Sequence, residues 1–205
     1  VNKIDLFIGG IMCVGYSWFQ DLMIATSQSG IMEIWNCINN QQLAQIANEK
    51  DVPINTFCMS KNDEVIYTGH QNQIIRCWNL KVEGGLVDTL YGHSDAITAV
   101  LLSHSNQYLY SASLDKSIRV WRLPDHSCLR TIQDSDLAIH CLCLTLDDFW
   151  LYASGGDGIL RKYNVNQGFA LVEKLKQHTD EVYSMVLNKR GNVLYTGSLD
   201  MSVKG

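Results

Sequence analysis

His93, Ser111 and Asp115 have the side chains of a nucleophilic triad: a hydroxyl to attack, an imidazole to take its proton and a carboxylate to orient the ring. No G-x-S-x-G elbow accompanies them. His140, Cys141 and Cys143 have the donor atoms of a zinc site. Zinc ligands usually come in C-x2-4-C pairs, about four in all, and adjacent strand residues point to opposite faces. His140 and Cys141 should therefore diverge, and no metal is expected. Gly155-Gly156-Asp157-Gly158 is rich enough in glycine to cradle a phosphate. A phosphate loop leads into a helix and usually carries a lysine; this one falls between two strand-like runs and reads as a turn. The sequence thus implies no enzyme, no catalytic residue and no cofactor.

The elements that hold these residues come from a repeat. Residues 97–121, ITAVLLSHSNQYLYSASLDKSIRVW, align without a gap to windows at 11–35, 54–78, 139–163 and 182–205. The first column holds Ile11, Ile54, Ile97, Ile139 and Val182, and the fourth holds Val14, Phe57, Val100, Leu142 and Met185. The thirteenth holds Met23, Ile66, Leu109, Leu151 and Leu194, and the last holds Trp35, Trp78, Trp121 and Tyr163. Such columns are expected to face a core in every copy. Each window reads as three strands separated by polar turns. A fourth run lies between windows, at 41–47, 85–92, 127–133 and 169–175. Four strands per repeat of 42 or 43 residues is the signature of a β-propeller blade.

Composition agrees. The chain has 205 residues, 46% of them hydrophobic, enough for one substantial core. A net charge of −5 gives no basic excess for nucleic acid, so none is expected as a partner. No apolar run approaches the roughly 18 residues of a membrane span. The residues before window one do not read as a secretory signal. Seven cysteines without a C-x-x-C pair, and no N-x-S/T sequon, point to thiols in an intracellular protein, cytoplasmic or nuclear with cytoplasm favoured.

The best window carries Gly92-His93, Ser111, Asp115 and Trp121, and in this it resembles the WD-repeat family. The resemblance implies a buried hydrogen-bonded set of His93, Ser111, Asp115 and Trp121, and a second one of His178, Thr196 and Asp200. The Trp-Asp dipeptide never occurs: Trp35, Trp78 and Trp121 precede Asn36, Asn79 and Arg122. Windows one and two have Ser29 and Asn72 in place of Asp, and windows one, two and four lack the Gly-His. Those blades are expected to rest on hydrophobic packing alone. Arg76, Arg119, Arg161 and Lys204 share one column and read as a solvated face.

The resulting expectation is an all-β chain of four-stranded antiparallel blades, about five of them, part of a seven-bladed ring in a longer protein. The domain plan is an outer strand within 1–10, blades at about 11–47, 54–92, 97–133 and 139–177, and an incomplete blade at 182–205. Propellers present loops on a rigid frame, which suits a non-catalytic scaffold for protein or peptide partners. The alternative is the frame of a larger multi-domain protein whose enzymatic or lipid-binding activity lies elsewhere. Family members often grip partners where the loop entering the first strand meets the turn between the second and third. Here that gives Leu114, His140, Tyr183, Leu199 and Thr98 as a candidate partner-binding face. Trp18 and Phe19, an aromatic pair in a turn that is polar in other windows, form a second candidate.

Overall fold

The structure, a computed structural model, describes residues 9–17, 19–47, 52–82, 85–123 and 125–205. The expected outer strand within 1–10 falls almost wholly outside the described residues, and so does Trp18. The chain divides into two compact units, one ending at Gly92 and the other starting at His93.

The first unit holds two four-stranded antiparallel sheets. One runs β1 (Ile11–Ser17), β2 (Leu22–Ser27), β3 (Ile31–Asn36) and β4 (Gln41–Ala47) in simple order. The other runs β5 (Ile54–Met59), β6 (Val65–His70), β7 (Ile75–Asn79) and β8 (Leu86–Leu90). Leu22, Ile24, Met32 and Ile34 of the first blade share a core with Ile54, Ile66 and Trp78 of the second. Each such fully buried side chain contributes about 1.5–3 kcal/mol.

The second unit repeats the plan. Its third blade is β9 (Ile97–Leu102), β10 (Tyr108–Ser113), β11 (Ile118–Arg122) and β12 (Cys128–Ile132). The fourth is β13 (Ile139–Leu144), β14 (Trp150–Gly155), β15 (Ile159–Asn164) and β16 (Ala170–Lys176). The fifth has three strands, β17 (Val182–Leu187), β18 (Leu194–Ser198) and β19 (Val203–Lys204). Tyr110, Ile118 and Val120 share a core with Ile139, Leu151 and Tyr163, so blades three and four pack face to face. A single 3-10 turn, Val165–Gln167, is the one helical element among the described residues. The all-β propeller-blade architecture stands.

Two expectations about burial are corrected. Ile11 and Val14 are more than half exposed and do not face a core, because no described sheet covers that side of β1. Arg76 and Arg161 are buried, not solvated. Arg161 is turned inward by a carboxylate in its own blade, Asp157, with which it makes an ion pair.

A second device joins neighbouring blades at the β1–β2 type of turn. Asp63 is buried and takes up a left-handed conformation, φ 55°. Its carboxylate reaches back to the preceding blade and accepts from Ser17 Oγ at 2.5 Å and from the Gln20 N–H at 3.0 Å. Asp148, φ 58°, does the same between blades four and three, accepting from the His104 and Ser105 N–H groups at 2.7 and 2.8 Å. The corresponding residues in blades three and five, Asn106 and Gly191, are left-handed too but lack the carboxylate. Blades one and two, and blades three and four, are thereby clamped as pairs. Removing the Asp63 acceptor leaves the buried Ser17 hydroxyl unmatched, at about 1–3 kcal/mol. Asp63→Ala is expected to lower stability by that order, read as a lower denaturant midpoint. An unchanged midpoint would show that the clamp carries no stability.

Candidate functional site

Each blade presents at one end a loop leading into its first strand and a tight turn between its second and third. The turn requires a left-handed residue, supplied by Gly30, Gln73, Lys116, Gly158 and Met201, φ 63–79°. At Gly158 an added Cβ would lie 2.5 Å from the His178 carbonyl oxygen, so glycine is needed for space as well. The Gly155–Gly158 run is thus a turn, as its register implies.

In blade three, loop and turn are held by one buried set. His93 Nδ1 donates to Asp115 Oδ2 at 2.7 Å, since the carboxylate can only accept. His93 Nε2 then accepts from Ser111 Oγ at 2.7 Å, and Ser111 Oγ accepts from Trp121 Nε1 at 2.9 Å. Asp115 also takes the Ser94 and Ser117 N–H groups at 3.0 and 2.9 Å. Burial alone would raise the Asp115 carboxyl, but the His93, Ser117 and Ser94 hydrogen bonds hold it well below the usual carboxylate range. The residue types are those of a hydrolase triad, yet Ser111 is fully buried and its hydroxyl is engaged on both sides. This set presents no nucleophile. Blade five has the same arrangement: His178 contacts Asp200 and Thr196, each at 2.8 Å, and Asp200 accepts from Thr179 N–H at 3.2 Å.

The first strand of every blade carries a β-bulge at its second residue. Cα pairing skips Met12, Asn55, Thr98, His140 and Tyr183, while the residues on either side pair normally. A bulge re-aims the extra side chain. These are the second-column residues, three of them in the candidate face. In blades three to five the face is continuous. Leu114 N–H donates to the Ala96 carbonyl and Gly156 N–H to that of Ala138. Thr98 Oγ1 donates to the Ile139 carbonyl at 2.5 Å, so its hydroxyl ties blade three to blade four. His140 Nε2 meets Glu181 Oε2 at 2.8 Å, tying blade four to blade five, and Leu199 N–H donates to the Glu181 carbonyl. The His140 and Tyr183 rings stack at 4.6 Å and 8°. Leu114 is half-buried, whereas Tyr183 and Leu199 are 53% and 57% exposed.

The model of the family described as "WD domain, G-beta repeat" matches residues 84–122, 126–164 and 169–204, more than half of the chain. The chain belongs to the WD-repeat family.

Among relatives, autophagy-related protein 16 of Arabidopsis thaliana is 23% identical over 97% of this chain, and pre-mRNA-processing factor 19 of Mus musculus is 26% identical over 72%. The Bos taurus protein of the latter name is 27% identical over the same share. The chain spans 38% of the first relative and 29% of the other two. Membership supports the coarse function of a protein-interaction scaffold.

As a WD-repeat chain it departs from pattern in a way the sequence reading missed. Blades two and four do not rest on packing alone. In blade two, Trp78 Nε1 donates to Thr68 Oγ1 at 2.7 Å, and Thr68 Oγ1 contacts His70 Nε2 at 2.8 Å. The imidazole comes from the end of β6 instead of the incoming loop, yet meets the same hydroxyl. In blade four the Asp position, Asp157, pairs with Arg161, whose Nε donates to the Asp134 carbonyl at 3.2 Å. Cys141 Sγ lies 3.7 and 3.6 Å from the Ser154 and Val182 carbonyl oxygens, and burial pushes its thiol up to about 12. The secondary candidate Phe19 is 69% exposed.

The buried imidazole of blade two gives a pH test. Desolvation, helped by the Arg76 charge, lowers His70 to about 3. An unfolded histidine titrates near 6.5, so between these values the unfolded chain binds the extra proton and stability falls as pH falls. His70→Gln is expected to flatten the decline in unfolding free energy between about pH 6.5 and 4. The same slope in variant and parent would contradict a neutral, buried His70.

Proposed function

We propose that the chain is a non-catalytic scaffold in an intracellular, cytoplasmic assembly, and that it takes a protein or peptide partner on the bulge-and-turn end of blades three to five. The observation that carries this reading is the bulge series: it aims His140 and Tyr183 out of their strands, with Tyr183 beside Leu199, the blade-four turn held by the Asp157–Arg161 pair and the blade-five turn by the buried His178. A large exposed aromatic on a rigid backbone is the usual anchor of a protein contact, because it buries much area with little loss of rotamer entropy. Leu114 adds a half-buried apolar side chain at the blade-three turn, and Thr98 ties blade three to blade four. The family match supports the scaffold role, and the named relatives, one for autophagy and one for pre-mRNA processing, support a shared frame over shared chemistry.

Further blades would complete the propeller in this reading. Val186, Tyr195 and Val203 of the fifth blade, and Ile11 and Val14 of the first, expose apolar surface of the kind that inner blades bury against a neighbour. Enzymatic or lipid-binding activity elsewhere in a longer protein is compatible with the same scaffold.

Changing Tyr183 and Leu199 together to Ala is expected to abolish recovery of at least one partner from cell extract. Stability should stay within about 0.5 kcal/mol of the parent, as for exposed positions. Full recovery of every partner by a folded variant would remove this face as the binding surface.

A further inference from the structure

The same face carries a charge pattern that narrows its partner. Glu181, in the loop entering β17, accepts from Tyr183 Oη at 2.7 Å and from His140 Nε2 at 2.8 Å, both on Oε2. Its other oxygen, Oε1, has no hydrogen bond or ion pair among the described residues. The carboxylate is therefore fixed in direction by an aromatic stack, partly open to solvent, with one oxygen left for a ligand. The Tyr183 hydrogen bond holds it below the usual glutamate range, and the His140 contact works in the same sense against burial. It is an anion at neutral pH.

The surroundings reinforce the sign. Asp95, Asp136 and Asp180, from the loops entering blades three, four and five, are all exposed. Lys116, in the β10–β11 turn, is the one exposed cation within the corresponding loops and turns, while the Lys174 and Lys204 ammonium groups reach the carbonyls of Asp134 and Gln177, at the start of the loops entering blades four and five. Arg161 is unavailable, being buried against Asp157. Next to this acidic rim lies an apolar patch of Tyr183, Leu199 and Met201, which line one shallow cleft and are each more than half exposed. A patch of this type with an anionic rim is complementary to a segment that is both basic and apolar.

We propose that this face recognises an extended peptide segment in which a lysine or arginine lies beside an aliphatic residue, with the cation seated on Glu181 against the Tyr183–His140 stack and the aliphatic side chain on Leu199 and Met201. A guanidinium or ammonium gains twice in this seat, from the carboxylate and from the ring face of Tyr183. The two acceptor bonds already made cost nothing further on binding, because the carboxylate is oriented beforehand. The inference rests on the bulge-and-turn face being the working surface.

The test uses a random dodecapeptide library displayed on phage, selected against the 205-residue chain and against two variants, Glu181→Gln and Tyr183→Ala with Leu199→Ala. Gln keeps an acceptor for Tyr183 and His140 and removes only the charge. Peptides enriched on the parent are expected to carry Lys or Arg next to Leu, Ile or Met. Synthetic copies should bind Glu181→Gln about twofold to fivefold more weakly, the range for a partly exposed ion pair, and should not bind the double variant. Enriched peptides without a basic residue, or equal affinity for parent and Glu181→Gln with loss only on the double variant, would overturn the cation seat and leave the face standing. Peptides that bind all three proteins alike would overturn both, and failure to enrich any peptide would overturn the inference.

Discussion

A blade end of this kind asks the backbone for two irregular features side by side, a bulge in the first strand and a left-handed turn between the second and third. Both leave N–H groups that no ladder can satisfy, and an unmatched buried donor costs about 1–3 kcal/mol. The carboxylate at the turn answers this need. Asp115 collects the Ser94 and Ser117 N–H groups, and the His93 ring carries the connection down to Ser111 and Trp121 inside the sheet. Loop, turn and core thereby become one body. What the blade displays at that end, Leu114 or Leu199, is held by a network that solvent hardly reaches.

The blades meet the same need by different chemistry. Blades three and five use the histidine and the aspartate. Blade four keeps Asp157 but pairs it with Arg161, and blade two keeps the imidazole–hydroxyl–indole chain but takes the imidazole from its own strand. Blade one has neither; Ser27 and Ser29 hydrogen bond to one another at 2.9 Å, and Ser27 Oγ accepts the Ile31 N–H. The His140–Tyr183 stack thus lies between a turn held by Asp157–Arg161 and one held by His178–Asp200. At the other end of the blades, Asp63 and Asp148 pin each even blade to its predecessor. Rigidity at both ends is what lets a few exposed side chains act as a preformed surface, with little ordering left for a partner to impose.

Much of this was legible in the sequence, for a reason specific to repeats. Five ungapped windows expose the strands, the turns and the aligned core columns without any knowledge of tertiary structure, and the members of the blade-three set stand at readable offsets. The misreadings share one cause, treating a column as having a single environment. Arg161 shares its column with Arg119, but only Arg161 has an aspartate four residues earlier free of a histidine. His70 falls at the end of β6, where other windows have Ser or Gly, so it matches no family position although it reaches the same hydroxyl. Ile11 and Val14 match their columns, yet burial depends on a neighbouring sheet and not on the residue. The clamp left a faint trace, an aspartate at 63 and again at 148 in the same turn column, but nothing in the sequence says that it reaches across to another blade.

The account depends on the turn carboxylate acting as the acceptor that fuses loop and turn. Amide hydrogen exchange on Asp115→Ala tests this residue by residue. Faster exchange is predicted at Ser94 and Ser117, which lose their acceptor, and at Leu114, whose partner is the Ala96 carbonyl of the released loop. Tyr110 and Val120, in the body of β10 and β11, should keep their protection. Unchanged protection at Ser94 and Ser117 in the variant would contradict the central role given to this hydrogen-bonded set.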